Sequence, residues 1–210
     1  MKTVRIGSGA GYAGDRIEPA IDLMKRGDLD YIIFECLAER TIALAQLRKL
    51  KNPDKGYNDL FEYRMAHILD AIADGSRVKV ITNMGAANPE AAVKCARAMA
   101  DARGLNDLKF AAVTGDDVLE YLDKYMDYKT FETNDSLKHL DGDIVSANAY
   151  IGCAGIVEAL KGGADIVITG RVADPSLTLG PLVYEYGWSM DNYEMLGKAT
   201  IAGHLLECAG

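Results

Sequence analysis

The sequence has no excess of positive charge, no paired cysteine motif and no long apolar run. Of its 210 residues, 31 are acidic and 23 are Lys or Arg, so the formal net charge is −8. Without a basic stripe, the chain is not expected to bind nucleic acid. No apolar run approaches the roughly 20 residues that cross a bilayer, so no membrane span is expected. The four cysteines form no CxxC pair, which is typical of free thiols in a reducing cytoplasm.

Signatures of several enzyme classes are also missing. The chain contains neither a GxSxG nucleophile motif nor a P-loop. His204 is the one histidine with candidate metal ligands nearby, because Glu207 and Cys208 lie within one turn of the same predicted helix. A partly buried helix face explains these residues without a metal. We therefore predict no metal site, and the sequence leaves the cofactor open.

What the sequence does have is a repeated pattern of six short apolar runs, each followed by polar and glycine residues. Such runs are typical of strands buried on both faces, and segments with helical spacing separate them. The pattern predicts an α/β fold with a mainly parallel sheet and helices on both faces, doubly wound and Rossmann-like in three layers. The predicted strands lie at residues 4–6, 31–34, 78–81, 110–113, 143–145 and 166–168.

Capping signals mark where the predicted helices begin. Asp15 with Glu18 resembles a capping box. Asn88-Pro89 and Asp174-Pro175 are typical of helix starts, and Asp116 or Asp117 caps another helix. Residues 127–142 are polar and irregular, and we expect them to form an excursion over the site.

The last predicted helix, residues 198–208, carries Ile201, Leu205 and Cys208 on one face with nothing after it to cover them. We expect this face to pack against a missing C-terminal part or another subunit. Residues 1–210 are thus expected to form a single α/β domain, the N-terminal part of a longer protein, and a homo-oligomer is the other possibility.

The polar clusters should meet at one edge, because ligands of open parallel sheets bind beyond the carboxyl ends of the strands. Glu35 follows a buried strand and has no capping role, so it is a candidate general base. Asp116 is the second candidate catalytic residue, with N-capping as the alternative. The candidate substrate-binding residues are Gly9, Gly11, Gly14, Asn83, Asn148, Tyr150, Arg171 and Asp174.

Arg171 is the only cation among the clusters. A guanidinium after a buried strand suits bidentate capture of a carboxylate or a phosphate. The alternative is a structural ion pair with Asp174 or Glu35.

The segment from Gly9 to Gly14 matches GxGxxG after a strand, which is the outline of a dinucleotide site. Such a site needs the helix N-terminus at the pyrophosphate, whereas here the helix is predicted to start only at Asp15. Asp15 and Glu18 would also bring negative charge towards a phosphate. The alternatives are that the loop amides hold another carboxylate or phosphate, or that the loop is only a tight turn.

Several segments resemble a known family. Residues 9–15, 37–39, 168–177 and 203–208 are similar to the acyclic terpene utilisation protein AtuA family, and the similarity covers essentially the whole chain. It departs at Ala209, where the family pattern is expected to have glycine. The resemblance implies a bacterial catabolic protein, associated in some members with breakdown of branched terpenoid acids through CoA thioesters. It implies no particular reaction.

These observations favour a cytoplasmic enzyme, a lyase or hydrolase, that acts on a small carboxylate or acyl-CoA substrate. Arg171 and the glycine loop would hold the acid or the thioester phosphate. One alternative is an NAD-type dinucleotide-binding protein. The other is a non-catalytic subunit that needs a partner domain. Neither nucleic acid nor a membrane is an expected partner.

Overall fold

The computed structural model describes residues 2–208, with the side chain of Cys208 excepted. In this part of the chain a five-stranded sheet is parallel throughout, with the order β1-β2-β3-β5-β4. The doubly wound α/β fold is therefore confirmed. The strands are β1 (Ile6–Ala10), β2 (Tyr31–Phe34), β3 (Lys79–Thr82), β4 (Phe110–Val113) and β5 (Ile166–Thr169).

Helices cover both faces of the sheet because successive strand residues point to opposite sides. Ile32 and Phe34 of β2 pack on one face, in a core with the helices at residues 18–26, 61–73 and 89–101. Tyr31 and Ile33 pack on the other face, in a core with the helices at residues 154–161 and 176–186. The helices are α1 (Glu18–Arg26), α2 (Glu39–Lys51), α3 (Phe61–Ala73), α4 (Pro89–Asp101), α5 (Ala154–Lys161), α6 (Ser176–Tyr186) and α7 (Tyr193–Cys208).

The predicted strand at residues 143–145 is wrong. Its three residues are exposed or half-buried, and residues 114–152 form an irregular excursion with short 3₁₀ helices at Leu119–Tyr125 and Leu137–His139. A three-residue apolar run is too short to distinguish a buried strand from a loop that touches the surface. Single bridges join Asn148 to Asp117 within the excursion and Ile151 to Val172, which lies in the loop after β5.

Two predicted helix caps are also wrong. Asp15 and Asp174 were expected to cap helices α1 and α6. Helix α1 instead begins at Glu18 after Ile17, and helix α6 begins at Ser176 after Pro175. Neither of these flanking residues gives a side-chain cap within the described chain. The carboxylates of Asp15 and Asp174 bind elsewhere, as the site geometry shows. By contrast, the Asn88 cap of α4 is confirmed by its hydrogen bond from the amide of Ala91.

Helix α7 starts earlier than predicted, at Tyr193 rather than at residue 198. Ile201 and Leu205 are exposed on it, as expected, and the side chain of Cys208 lies outside the described residues. Among the helices that the structure describes, none combines the length and the apolar character needed to cross a bilayer.

Candidate functional site

The loops that follow the five strands leave the sheet at the same edge, because all the strands run in one direction. The bridge of Ile151 to Val172, in the loop after β5, brings residues 146–152 to this carboxyl edge. Glu35 and Arg171 lie at the same end of the sheet, since Arg171 donates from Nη1 to the carbonyl of Leu37 at 2.6 Å. The predicted gathering of the polar clusters is therefore confirmed.

Glu35 is a buried carboxyl at this edge, directly after β2, with 7% of its surface exposed. Its Oε1 accepts hydrogen bonds from the amide of Leu37 and from Nδ2 of Asn83, both at 2.8 Å. Oδ1 of Asn83 accepts a hydrogen bond from the backbone amide of Cys36, and this bond fixes the orientation of the Asn83 side chain. Burial raises the pKa of Glu35, and its hydrogen bonds offset this only in part.

The second oxygen of Glu35, Oε2, receives no hydrogen bond from the residues that the structure describes. Oε1 is thus held in place by two donors. A carboxyl with a raised pKa and a fixed orientation is suited to give or take a proton.

Asp116 lies at the same edge but is bound more tightly. Its Oδ2 accepts from Nδ2 of Asn148 and from the backbone of Arg171, both at 2.9 Å. Gly170 makes room for it, because a Cβ at that position would overlap the carboxylate. Asp116 therefore ties the excursion to the loop after β5. This arrangement is typical of an anchoring carboxylate.

Arg171 is almost completely buried, with 2% of its surface exposed. Its Nε and Nη2 donate to the carbonyl of Val172, its Nη1 donates to that of Leu37, and Nη2 also pairs with Asp174. The structural ion pair with Asp174, which the sequence left as an alternative, is therefore present. The guanidinium joins the loop after β2 to the loop after β5. Anion binding by Arg171 stays a prediction.

Tyr150 covers Arg171 from the outside. The guanidinium carbon lies 4.4 Å from the centre of the Tyr150 ring, a cation–π geometry. The Tyr150 hydroxyl donates to the carboxylate of Glu39, the first residue of α2. This hydrogen bond holds the pKa of Glu39 below its usual range and raises that of Tyr150. Tyr150 and Glu39 thereby close the outer side of the edge between α2 and the excursion.

The glycine segment, Gly9 to Gly14, is packed against the protein itself, and its expected start after a strand at residues 4–6 is wrong, because Gly9 and Ala10 belong to β1. A Cβ on Gly9 would lie 2.5 Å from the Phe34 ring, and a Cβ on Gly11 would overlap the carbonyl oxygen of Glu207. The amides of Gly11 and Tyr12 donate to Oδ2 of Asp15 at 2.9 and 3.0 Å. A carboxylate of the chain thus occupies amides that would otherwise face a phosphate. This geometry favours the structural alternative for the loop over dinucleotide binding.

We predict that Gly11→Ala destabilises the protein by about 1–3 kcal/mol, because the added methyl group must displace the end of α7. Urea unfolding measures this change. Gly197→Ala is the matched control, since a Cβ there meets nothing within 4 Å and the residue lies inside α7. That control is expected to be neutral or stabilising. Equal stability of Gly11→Ala and the wild type would contradict the packing role of Gly11.

Sequence reasoning missed a second buried arginine beside the site. Arg64 of α3 has 1% of its surface exposed and donates to Sγ of Cys36 at 3.2 Å and to the carbonyl of Asp15 at 2.8 Å. The signal was present, because Arg64 lies one turn after Phe61 on the apolar face of the helix. Burial raises the pKa of Cys36 to about 12, so this cysteine is a thiol at neutral pH.

Sequence reasoning also placed Glu207 only in a possible metal site. Nδ1 of His204 lies 3.7 Å from Oε2 of Glu207, and the described residues contain no group of three or more metal-ligating side chains. Glu207 is instead a buried residue beside the glycine loop.

Two clefts open beside the edge. One, of about 240 Å³, has an apolar side formed by Tyr12, Leu37, Leu44 and Leu60. The other, of about 520 Å³, lies between the glycine loop and Glu207. Leu37 connects the first cleft to the buried cluster, because its amide binds Glu35 and its carbonyl binds Arg171.

The protein is thus a doubly wound α/β protein with a parallel sheet, and buried carboxyl groups and two clefts lie at the carboxyl edge of that sheet. The chain matches the model described as acyclic terpene utilisation family protein AtuA over residues 4–210, and it belongs to this family. The resemblance noted in the sequence is thus confirmed. The comparison with curated proteins found no significant match, and neither did the comparison with solved structures.

Proposed function

We propose that the protein is a catabolic enzyme that transfers a proton on a small carboxylic acid or its acyl thioester, with Glu35 as the proton-transferring group. The observation that carries this proposal is the state of Glu35: buried, fixed through Oε1, and raised in pKa. The ionised carboxyl takes the proton from the carbon next to the acyl carbonyl, and the C–H electron pair moves into the enolate. Either Glu35 returns the proton to carbon, or it gives the proton to a β-hydroxyl group, which leaves as water while the enolate electrons form the C=C bond.

The apolar cleft supports an acyl substrate. Its lining by Tyr12, Leu37, Leu44 and Leu60 suits a hydrocarbon chain. The relation of the family to terpene utilisation is consistent with an apolar, branched acid. We place the reaction in the cytoplasm, where the free cysteines Cys36, Cys95 and Cys153 stay reduced.

In this proposal Arg171 binds the acid group of the substrate or the phosphate of its CoA thioester. The side chains of Asn83, Asn148 and Tyr150 orient the substrate by hydrogen bonds. In this arrangement the substrate anion replaces Asp174 on the guanidinium. Asp174 is the exchangeable partner, because its side chain is 33% exposed whereas the carbonyl partners belong to the backbone.

Hydrogen–deuterium exchange at carbon tests the proposal without knowledge of the complete reaction. The full-length protein is incubated in D₂O with branched unsaturated acids, their 3-hydroxy derivatives and the CoA thioesters of both. We expect deuterium at the carbon next to the carbonyl in one of these classes, detected by mass spectrometry. No exchange in any class, together with thermal stabilisation by NAD, would overturn the proposal in favour of dinucleotide binding.

A further inference from the structure

Glu207 is the last polar residue on the buried face of α7. The residues before it on this face are Ala199 and Gly203, at intervals of four. Glu207 continues the series, yet it is a glutamate with only 6% of its surface exposed. Burial of a carboxyl group costs free energy. A helix that only needed to pack would therefore be better served by an apolar residue at this position.

Close packing holds this end of α7 in place. A Cβ on Gly203 would lie 2.9 Å from the carbonyl oxygen of Pro175, so only glycine lets α7 approach α6 this closely. At the other end, Gly11 leaves space for the carbonyl of Glu207. Glycines on both sides thus bring a buried carboxyl to the carboxyl edge of the sheet.

The backbone at Ala10 and Gly11 links Glu35 to Glu207. The amide of Glu35 donates to the carbonyl of Ala10 at 2.9 Å, and the next residue, Gly11, packs against the backbone carbonyl of Glu207. Burial is the main cause of the raised pKa of Glu35, and the negative charge of Glu207 raises it further.

Other charged and titratable groups face this pair. On the Glu35 side they are Arg171, which lowers the pKa of Glu35, and the side chains of Cys36 and Tyr150, whose own pKa values respond to Glu35. On the Glu207 side they are His204 on the same helix and Asp15 and Arg16 across the cleft.

We propose that Glu207 is a second functional carboxyl of this edge, a positioning residue that acts through its neighbour Glu35. This inference rests on the proposed function of Glu35. Both carboxyls belong to one proton-transfer site, and the charge of Glu207 keeps the base protonated to higher pH than burial and Arg171 alone would.

Glu207→Gln tests the proposal because it removes the charge and keeps the shape. Loss of a like charge lowers the pKa of Glu35, so the acidic limb of the pH profile for substrate deuteration should move to lower pH by about one unit. Carboxyl ¹³C NMR titration of Glu35 in the full-length protein should show the same shift without substrate. Glu194→Gln is the matched control, an exposed glutamate of α7 paired with Lys198, and should leave both measurements unchanged.

Glu207→Asp retains the charge and should titrate close to the wild type. Where Glu207→Gln does not fold, Glu207→Met replaces it, since an apolar residue of similar size suits the buried face. A lower melting temperature with an unchanged Glu35 titration would show that Glu207 is only structural and would overturn the inference. Failure of the proposed function would be seen separately, because the Glu35→Gln variant would then retain substrate deuteration. The NMR titration needs no substrate, so it would still decide whether Glu207 affects the titration of Glu35.

Discussion

Replacing Glu35 by glutamine should slow deuteration of the substrate about 10²- to 10⁴-fold, the range that general acid–base groups contribute. Glutamine keeps the shape of the side chain, and its amide oxygen can still accept from Asn83 and Leu37, the two donors to Oε1. The variant should therefore fold and bind substrate. The rate is measured by mass spectrometry as a function of time. Glu158→Gln, on the exposed face of α5 and paired with Lys161, is the matched control.

The same variant should be more stable than the wild type at neutral pH. The pKa of Glu35 is raised in the folded protein, so its contribution to stability is fully present below the pKa of the unfolded chain. That contribution is lost as the pH rises through the raised folded pKa. Glutamine does not titrate, so the advantage of Glu35→Gln should grow across this interval in urea unfolding. A wild-type deuteration rate, or a variant less stable at every pH, would contradict the functional role.

Removing the Arg171 side chain should destabilise the protein by about 3–5 kcal/mol, as is typical when one partner of a buried ion pair is lost. Arg171→Ala leaves Asp174 and two backbone carbonyls, those of Leu37 and Val172, without their donor. Arg26→Ala is the matched control, since its pair with Asp22 is exposed and should contribute little. Chemical unfolding of both variants gives the difference.

Arg171→Lys separates the structural role from anion binding. Lysine keeps the charge but cannot reproduce the parallel hydrogen bonds of the guanidinium. If Arg171 serves only the structure, the melting temperature falls and the affinity for substrate stays near that of the wild type. If it also holds the substrate acid, affinity should weaken by a further 1.5–3 kcal/mol, roughly the range for a charged hydrogen bond. Unchanged affinity would remove Arg171 from the site.

The fold class could be predicted because it depends on local patterns. Apolar runs of four residues, such as 31–34 and 110–113, alternate with helical segments over the whole chain. The same logic failed at residues 143–145, where three residues carry too little pattern to exclude a surface loop. The position of the candidate site at the carboxyl edge could be predicted from the topology alone, because the carboxyl ends of parallel strands lie at the same edge of a sheet.

The individual roles at the edge could be predicted only in part, because they depend on partners that are remote in sequence or outside the helix. Asp174 has the position of a helix cap, yet its partner is the Arg171 guanidinium. Asp15 likewise binds the amides of the glycine loop. Arg64 and Glu207 were missed because the burial of a charged residue is decided by the elements that pack around it.

The strand order has a consequence for synthesis of the chain. Strand β5 lies between β3 and β4, and β4 pairs with no other strand of the described sheet. On the ribosome, β3 and β4 emerge long before residues 166–169. Until then each presents an unpaired edge, which is the state in which strands associate with the wrong neighbour. The sheet can be completed only after the excursion has been translated, so the last strand made among the described residues is the one that joins β4 to the other three.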